Sequence, residues 1–190
     1  MTDVEGSVLL ALARAAIADR LFAAGALAEA ERAAPPCNAL DELRGVFVTL
    51  KMPDDGGAFQ LRGCIGSIEG SASLRRGVVD AAVSAAFADP RFAPLDAEEF
   101  PSVRLSVSAL TALTRVERPD AIVAGEHGVL LESGRRRAVF LPQVATEQGW
   151  STRTLLEHLA RKAGLPADAW RRAELHIFHS ENFEERRGTC

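Results

Sequence analysis

Three cysteines, Cys37, Cys64 and Cys190, are too few and too scattered to build a disulfide framework. Their number is odd and no C-x-x-C pair occurs, which points to a reducing compartment. A long apolar run is also missing. The hydrophobic stretch near the start is cut by Arg14, Asp19 and Arg20, short of the roughly 20 residues that a membrane span needs. The opening Met1-Thr2-Asp3-Val4-Glu5 is acidic and lacks the basic beginning of a secretory signal. With a formal net charge of −4, the chain has no global positive field to attract nucleic acid, and its acidic excess is too small to imply disorder. No internal repeat or low-complexity linker interrupts it. These absences predict a soluble, cytoplasmic protein without a structural metal or cofactor.

What remains is ordinary globular material. The chain has 190 residues, 47% of them hydrophobic and 25% charged, so residues 1–190 suit a single domain able to bury roughly 70% of the surface that its unfolded form exposes. Leu10, Ala13, Ile17 and Leu21 recur at helical spacing and predict a helix over 7–24, with Ser7 as its cap and Gly25 as its end. A short helix follows over 26–32, then an extended connection at Pro35-Pro36. Residues 45–51, rich in β-branched and aromatic side chains, predict a strand. The turn Pro53-Asp54-Asp55-Gly56-Gly57 sends the chain back through a strand at 59–61.

A second long helix is expected over 71–88, capped by Ser71 or Ser73 and stopped at Asp89-Pro90. Strict alternation over 103–110 predicts a half-exposed antiparallel strand. Segments 129–132 and 136–141 form a hairpin with Ser133-Gly134 as its turn. A third helix spans 152–163, ended by Gly164 and Pro166. Residues 166–172 read as a further helical turn begun by proline, and a strand covers 175–178. Strands and helices mix without β-α-β alternation, so the fold class is α+β, a mixed and mainly antiparallel sheet with packed helices.

Chemistry concentrates at Arg62-Gly63-Cys64-Ile65-Gly66. Glycines let a ligand approach the main chain, and exposed N–H groups in such a turn cradle anions. Arginine adds a forked cation suited to carboxylate or phosphate, and a positive neighbour favours thiolate over thiol. Gly63 and Gly66 equally suit a bulge or tight bend, with Cys64 as a small packed hydrophobe. His176 and His179 stand three apart on a strand, which sends them to opposite faces, and no acidic residue stands at a standard ligand spacing. No metal site is assigned on that basis. A Cys–His pair for acyl transfer requires Cys64 to meet His127, His176 or His179 in space. Arg135-Arg136-Arg137 is the sole basic run, at a hairpin tip without interleaved aromatics, and reads first as a solvated tip rather than an RNA contact.

Leu61-Arg62-Gly63-Cys64-Ile65-Gly66 resembles, letter for letter, the hallmark of the AMMECR-type domain family. The likeness takes in 45–50, the segment Ala86-Phe87-Ala88-Asp89-Pro90-Arg91-Phe92, residues 103–110, 140–144, Gln148-Gly149-Trp150, 156–159 and 162–166. It covers about 7–184 and leaves 185–190 as a tail. The stretch 176–180 departs from it, with histidines in place of tyrosine or acidic residues. The resemblance implies an α+β domain of two unequal lobes with the hallmark near the cleft between them. It also implies a Memo-type protein and a radical-SAM protein as partners. Carried onto the hallmark, it makes Arg62 an anion clamp, Cys64 a candidate nucleophile, and Gly63 and Gly66 backbone-exposing positions. Two functions are thus expected: a cysteine-dependent enzyme acting on a small anionic substrate, or a non-catalytic module binding a small anionic ligand, RNA or a partner protein through the same cleft.

Overall fold

The structure, a computed structural model, describes residues 1–54 and 56–185. Cys190 and the last residues of the expected tail lie outside the described residues. The fold is α+β with two four-stranded sheets, and the chain divides into two compact units, Met1–Leu110 with the returning segment from Glu181, and Thr111–Ser180.

The larger unit is built on β1 (Val46–Pro53) and β2 (Phe59–Ser67), followed by β3 (Arg104–Leu110), and β8 (Ser180–Glu184) returns as its last strand, giving the order β2-β1-β3-β8. Along β1, Val46, Val48 and Leu50 are buried while Phe47, Thr49 and Lys51 alternate with them. β1 pairs antiparallel with both β2 and β3. The buried face receives α1 (Asp3–Phe22) and α4 (Leu74–Phe87). Leu9, Leu12, Ala13 and Ile17 of α1 and Leu74, Val78, Ala82 and Ala85 of α4 form the core with the strand residues. Two small helices, α2 (Ala26–Ala33) and α3 (Asn38–Asp41), connect α1 to β1.

Helix α1 begins four residues before the expected start. Thr2, not Ser7, is the cap, and Glu5 closes a reciprocal capping box with it. The helix ends at Ala23 in a left-handed conformation, ahead of Gly25. Ser73 is the cap of α4, of the two serines considered, and accepts the N–H of Arg76. The strand expected at 59–61 continues through the whole hallmark to Ser67, because the β-branched Ile65 and the narrow Gly63 and Gly66 extend as easily as they turn.

The smaller unit has β4 (Thr114–Val116), β5 (Gly128–Ser133), β6 (Arg136–Phe140) and β7 (Glu174–Phe178) in the order β4-β7-β5-β6. Helices α5 (Pro142–Gln148) and α6 (Thr152–Lys162) accompany the sheet. Leu155, Leu156 and Leu159 of α6 pack with Val129, Leu131 and Leu175. Ser133 pairs with Arg136, so the hairpin turn is Gly134-Arg135, one residue later than expected, with Gly134 at φ 61°. β4, β8 and α5 carry too few alternating or periodic residues to stand out in the sequence. Among the described residues, no helix is long and apolar enough to cross a membrane.

Candidate functional site

The hallmark lies on an edge strand with a fault in its register. Leu50 faces Gly63, but Lys51 faces Leu61, so Arg62 is an extra residue without a partner on β1. This is a β-bulge, a device that re-aims a side chain. Arg62 turns to Glu99 and makes a two-point ion pair, Nε to Oε1 at 2.9 Å and Nη2 to Oε2 at 2.7 Å. Its side chain is 13% exposed, and its guanidinium lies 5.9 Å from the Phe92 ring centre. The hydrogen bond with Arg62 holds the Glu99 carboxyl below the usual range, and the same bond raises Arg62. Nη1 of Arg62 is buried without a hydrogen-bond partner among the described residues.

Cys64 faces Thr49 across the strand pair, on the side of the sheet away from Val48 and Leu50. The Thr49 hydroxyl donates to its Sγ at 3.3 Å. Its backbone points outward from the edge of β2, where two side chains meet it. Asp89 Oδ2 accepts the Cys64 N–H at 2.9 Å, and Arg91 Nη2 donates to the Cys64 carbonyl at 3.3 Å. Asp89 and Arg91 are also paired to each other, Nη2 to Oδ2 at 2.7 Å. A carboxylate and a guanidinium thus stand where a neighbouring strand's carbonyl and amide would be, and they close the edge to further pairing. The Asp89 side chain is 2% exposed. The Arg91 hydrogen bond outweighs burial and, with the Cys64 N–H, holds its carboxyl far below the usual range.

The two glycines are strand residues without positive φ. A Cβ on Gly63 would stand 2.2 Å from the Ala85 carbonyl oxygen, and one on Gly66 would stand 2.1 Å from the Val46 oxygen. Gly63 therefore allows α4 to lie directly on β2, and its open side is filled by that helix rather than by solvent.

Beyond Cys64 the strand enters the wall of a pocket of about 210 Å³. Ile65, Gly66 and Ser67 form one side, the loop through Glu69 and Ser71 another, and Gly77, Asp80 and Ser84 of α4 a third. Gly77, Asp80, Ala81 and Ser84 fall on one helical stripe, and the missing side chain at Gly77 leaves the groove open. Two carboxylates, Glu69 and Asp80, border it with one cation, Arg44, and Arg44 is engaged by Glu181 and the Leu110 carbonyl.

The other candidates from the sequence lie in the smaller unit. His176 Nδ1 stands 3.6 Å from Glu132 Oε2. His158 stacks on Trp150 with ring centres 4.2 Å apart. His127 and His179 meet with ring centres 5.0 Å apart, and Glu126 joins them in a cluster whose ligand atoms lie within 4.8 Å of one another. The H-x-x-H spacing drew attention to His176 and His179, whereas His179 pairs with His127 instead. Arg136 donates to the Gly164 carbonyl and Arg137 pairs with Glu132 at 2.8 Å, so two of the three tip arginines are engaged.

An antiparallel α+β protein with a bulged, side-chain-capped edge strand beside a polar pocket is the class that these features define. Within it the chain belongs to the AMMECR1 family, whose model matches residues 10–183. It is 41% identical to protein MK0488 of Methanopyrus kandleri over 97% of this chain and 90% of that one. It is 39% identical to a protein of Aquifex aeolicus over 75% of each. The crystal structure of the uncharacterized protein PH0010 from Pyrococcus horikoshii is similar at a TM-score of 0.83 and 35% identity, covering 98% of this chain and 94% of that one.

Proposed function

We propose that this chain is a non-catalytic binding module, and that it receives a small polar ligand in the pocket walled by Ile65, Gly66 and Ser67. The observation that carries this reading is the division of labour along β2. The bulge commits Arg62 to Glu99, the Asp89–Arg91 pair holds the Cys64 backbone, and the end of the same strand opens onto a pocket of about 210 Å³. An anion clamp needs a free guanidinium fork, and Arg62 spends its fork on Glu99. The lining of Ser67, Ser71 and Ser84 with the carboxylates of Glu69 and Asp80, the latter also paired with Arg76, suits a ligand that donates hydrogen bonds, a polyol or an amine, better than an anion. A Memo-type and a radical-SAM protein would be the partners that supply or collect it; support for them is the family resemblance alone.

The test is a thermal-shift panel of small amines, polyols, carboxylates and phosphates on the native chain and on Ser84→Leu, which narrows the pocket. Binding at this site predicts that amines or polyols raise the melting temperature of the native chain and leave the variant unmoved. A panel that stabilises neither protein, or both equally, removes the pocket from consideration.

The thiol-enzyme reading keeps one specific observation in its favour. The Thr49 hydroxyl donates to Cys64 Sγ at 3.3 Å, which holds the sulfur in a fixed position on the face of the sheet. Alkylation of the folded protein separates this reading from the first.

A further inference from the structure

We infer that Glu126, His127 and His179 form a binding site for a divalent transition-metal ion of the zinc, nickel or copper type. Each offers one ligand atom, and the three atoms lie within 4.8 Å of one another. In a tetrahedral zinc site with bonds near 2.1 Å, ligand atoms stand about 3.4 Å apart. Glu126 and His179 are exposed, so their side chains have room to rotate toward the ion. Two imidazoles and one carboxylate suit a borderline ion. Calcium and magnesium, which take oxygen ligands, are poorly served.

Both histidines are held from outside the cluster. His127 closes a turn in which the Val123 carbonyl accepts the N–H groups of Glu126 at 3.2 Å and His127 at 3.0 Å. His179 is clamped to Thr111, its N–H donating to Oγ1 at 2.9 Å and its carbonyl accepting the Thr111 N–H at 3.0 Å. Two backbone anchors therefore hold rings that are more than fifty residues apart in the chain against each other at 70°. Three protein ligands leave the ion a position for water or another ligand.

One bond opens when the ion enters. His127 Nδ1 accepts the Val123 N–H at 3.0 Å, which leaves the proton of the neutral ring on Nε2. An ion on Nδ1 replaces that bond directly, and an ion on Nε2 requires the proton to move to Nδ1. In both cases the Val123 N–H turns to water, at a cost of up to about tenfold in affinity. The Val123 amide is therefore a built-in reporter.

The experiment is titration of the full chain with zinc chloride and, separately, nickel chloride, followed by calorimetry and by amide NMR. Saturable binding of one ion is expected, with the Val123 amide signal shifting in step. His179→Ala and Glu126→Gln are each expected to weaken binding at least tenfold while keeping the melting temperature, since both side chains are exposed. His158→Ala leaves binding unchanged. No saturable binding overturns the assignment. So does binding that survives His179→Ala, or a Val123 amide that stays in place at saturation, because the ion is then held elsewhere, at the cysteines or at other histidines.

Discussion

Asp89 accepts the backbone N–H of Cys64 through a carboxylate oxygen 2.9 Å away, and it does so from a side chain that is 2% exposed. This one residue satisfies an edge-strand donor inside the hallmark and fixes the Arg91 guanidinium that satisfies the matching carbonyl. A buried charge of this kind is tolerated because all its oxygens have partners.

Replacing Asp89 with Asn removes the charge and keeps the shape. The expected loss of stability at neutral pH is about 2–4 kcal/mol, the range for breaking a buried, charge-assisted network. Chemical denaturation followed by circular dichroism measures it.

The same group makes an acid-sensitive contribution. Its folded carboxyl titrates well below the unfolded value because of Arg91, and an unfolded aspartate titrates at about 3.9. Between those two points the unfolded chain binds more protons, so stability rises with pH. The contribution is complete above about pH 5 and fades as pH falls through and below about 4. The stability gap between the native chain and Asp89→Asn is therefore widest near pH 6 and narrows in acid. A gap independent of pH would mean that the carboxyl titrates alike in the folded and unfolded chain, so that Arg91 gives its charged form no net stabilisation.

Gly63→Ala places a methyl group against the Ala85 carbonyl oxygen. Helix α4 or β2 has to shift, and about 2–3 kcal/mol of stability is expected to go. Gly134→Ala is the contrast: nothing stands within 4 Å of the new Cβ, but φ is +61°, so the loss is about 1 kcal/mol, from backbone strain alone. Urea unfolding of the two variants separates crowding from conformation.

Glu99→Gln loosens Arg62 from its two-point partner. A double-mutant cycle with Arg62→Gln is expected to give a coupling of about 1–3 kcal/mol. The variant also tests the anion clamp directly. If inorganic phosphate binds Glu99→Gln and not the native chain, Arg62 is a clamp blocked by its own carboxylate. If phosphate binds neither, its role is to hold the strand.

Cys64 does not line the pocket, and its alkylation by iodoacetamide in the folded protein is expected to be slower than in urea. Cys64→Ser should then leave ligand-induced stabilisation intact. Rapid alkylation of the folded protein, together with loss of function in Cys64→Ser, would reinstate the nucleophile.

Much of the fold was legible because helices and strands write their period into nearby residues. The alternation of Val46, Val48 and Leu50 marked β1, and Leu74, Val78, Ala82 and Ala85 marked the stripe of α4. The hallmark stood out by composition, and a bulge was among its readings. What lies beside it was not legible. Glu99 is 37 residues from Arg62, and Asp89 is 25 from Cys64. No local pattern announces such pairs.

The sequence by itself therefore determined the α+β class, most of the elements, and the segment on which to look. Tertiary structure alone decided what that segment does with its charges. It sent Arg62 out of register to Glu99, closed the edge at Cys64 with Asp89 and Arg91, and brought His179 to Glu126 and His127. The physical reason is that periodicity is a property of neighbours along the chain. Pairing of side chains depends on strand register and turn geometry, which become fixed only when distant segments pack.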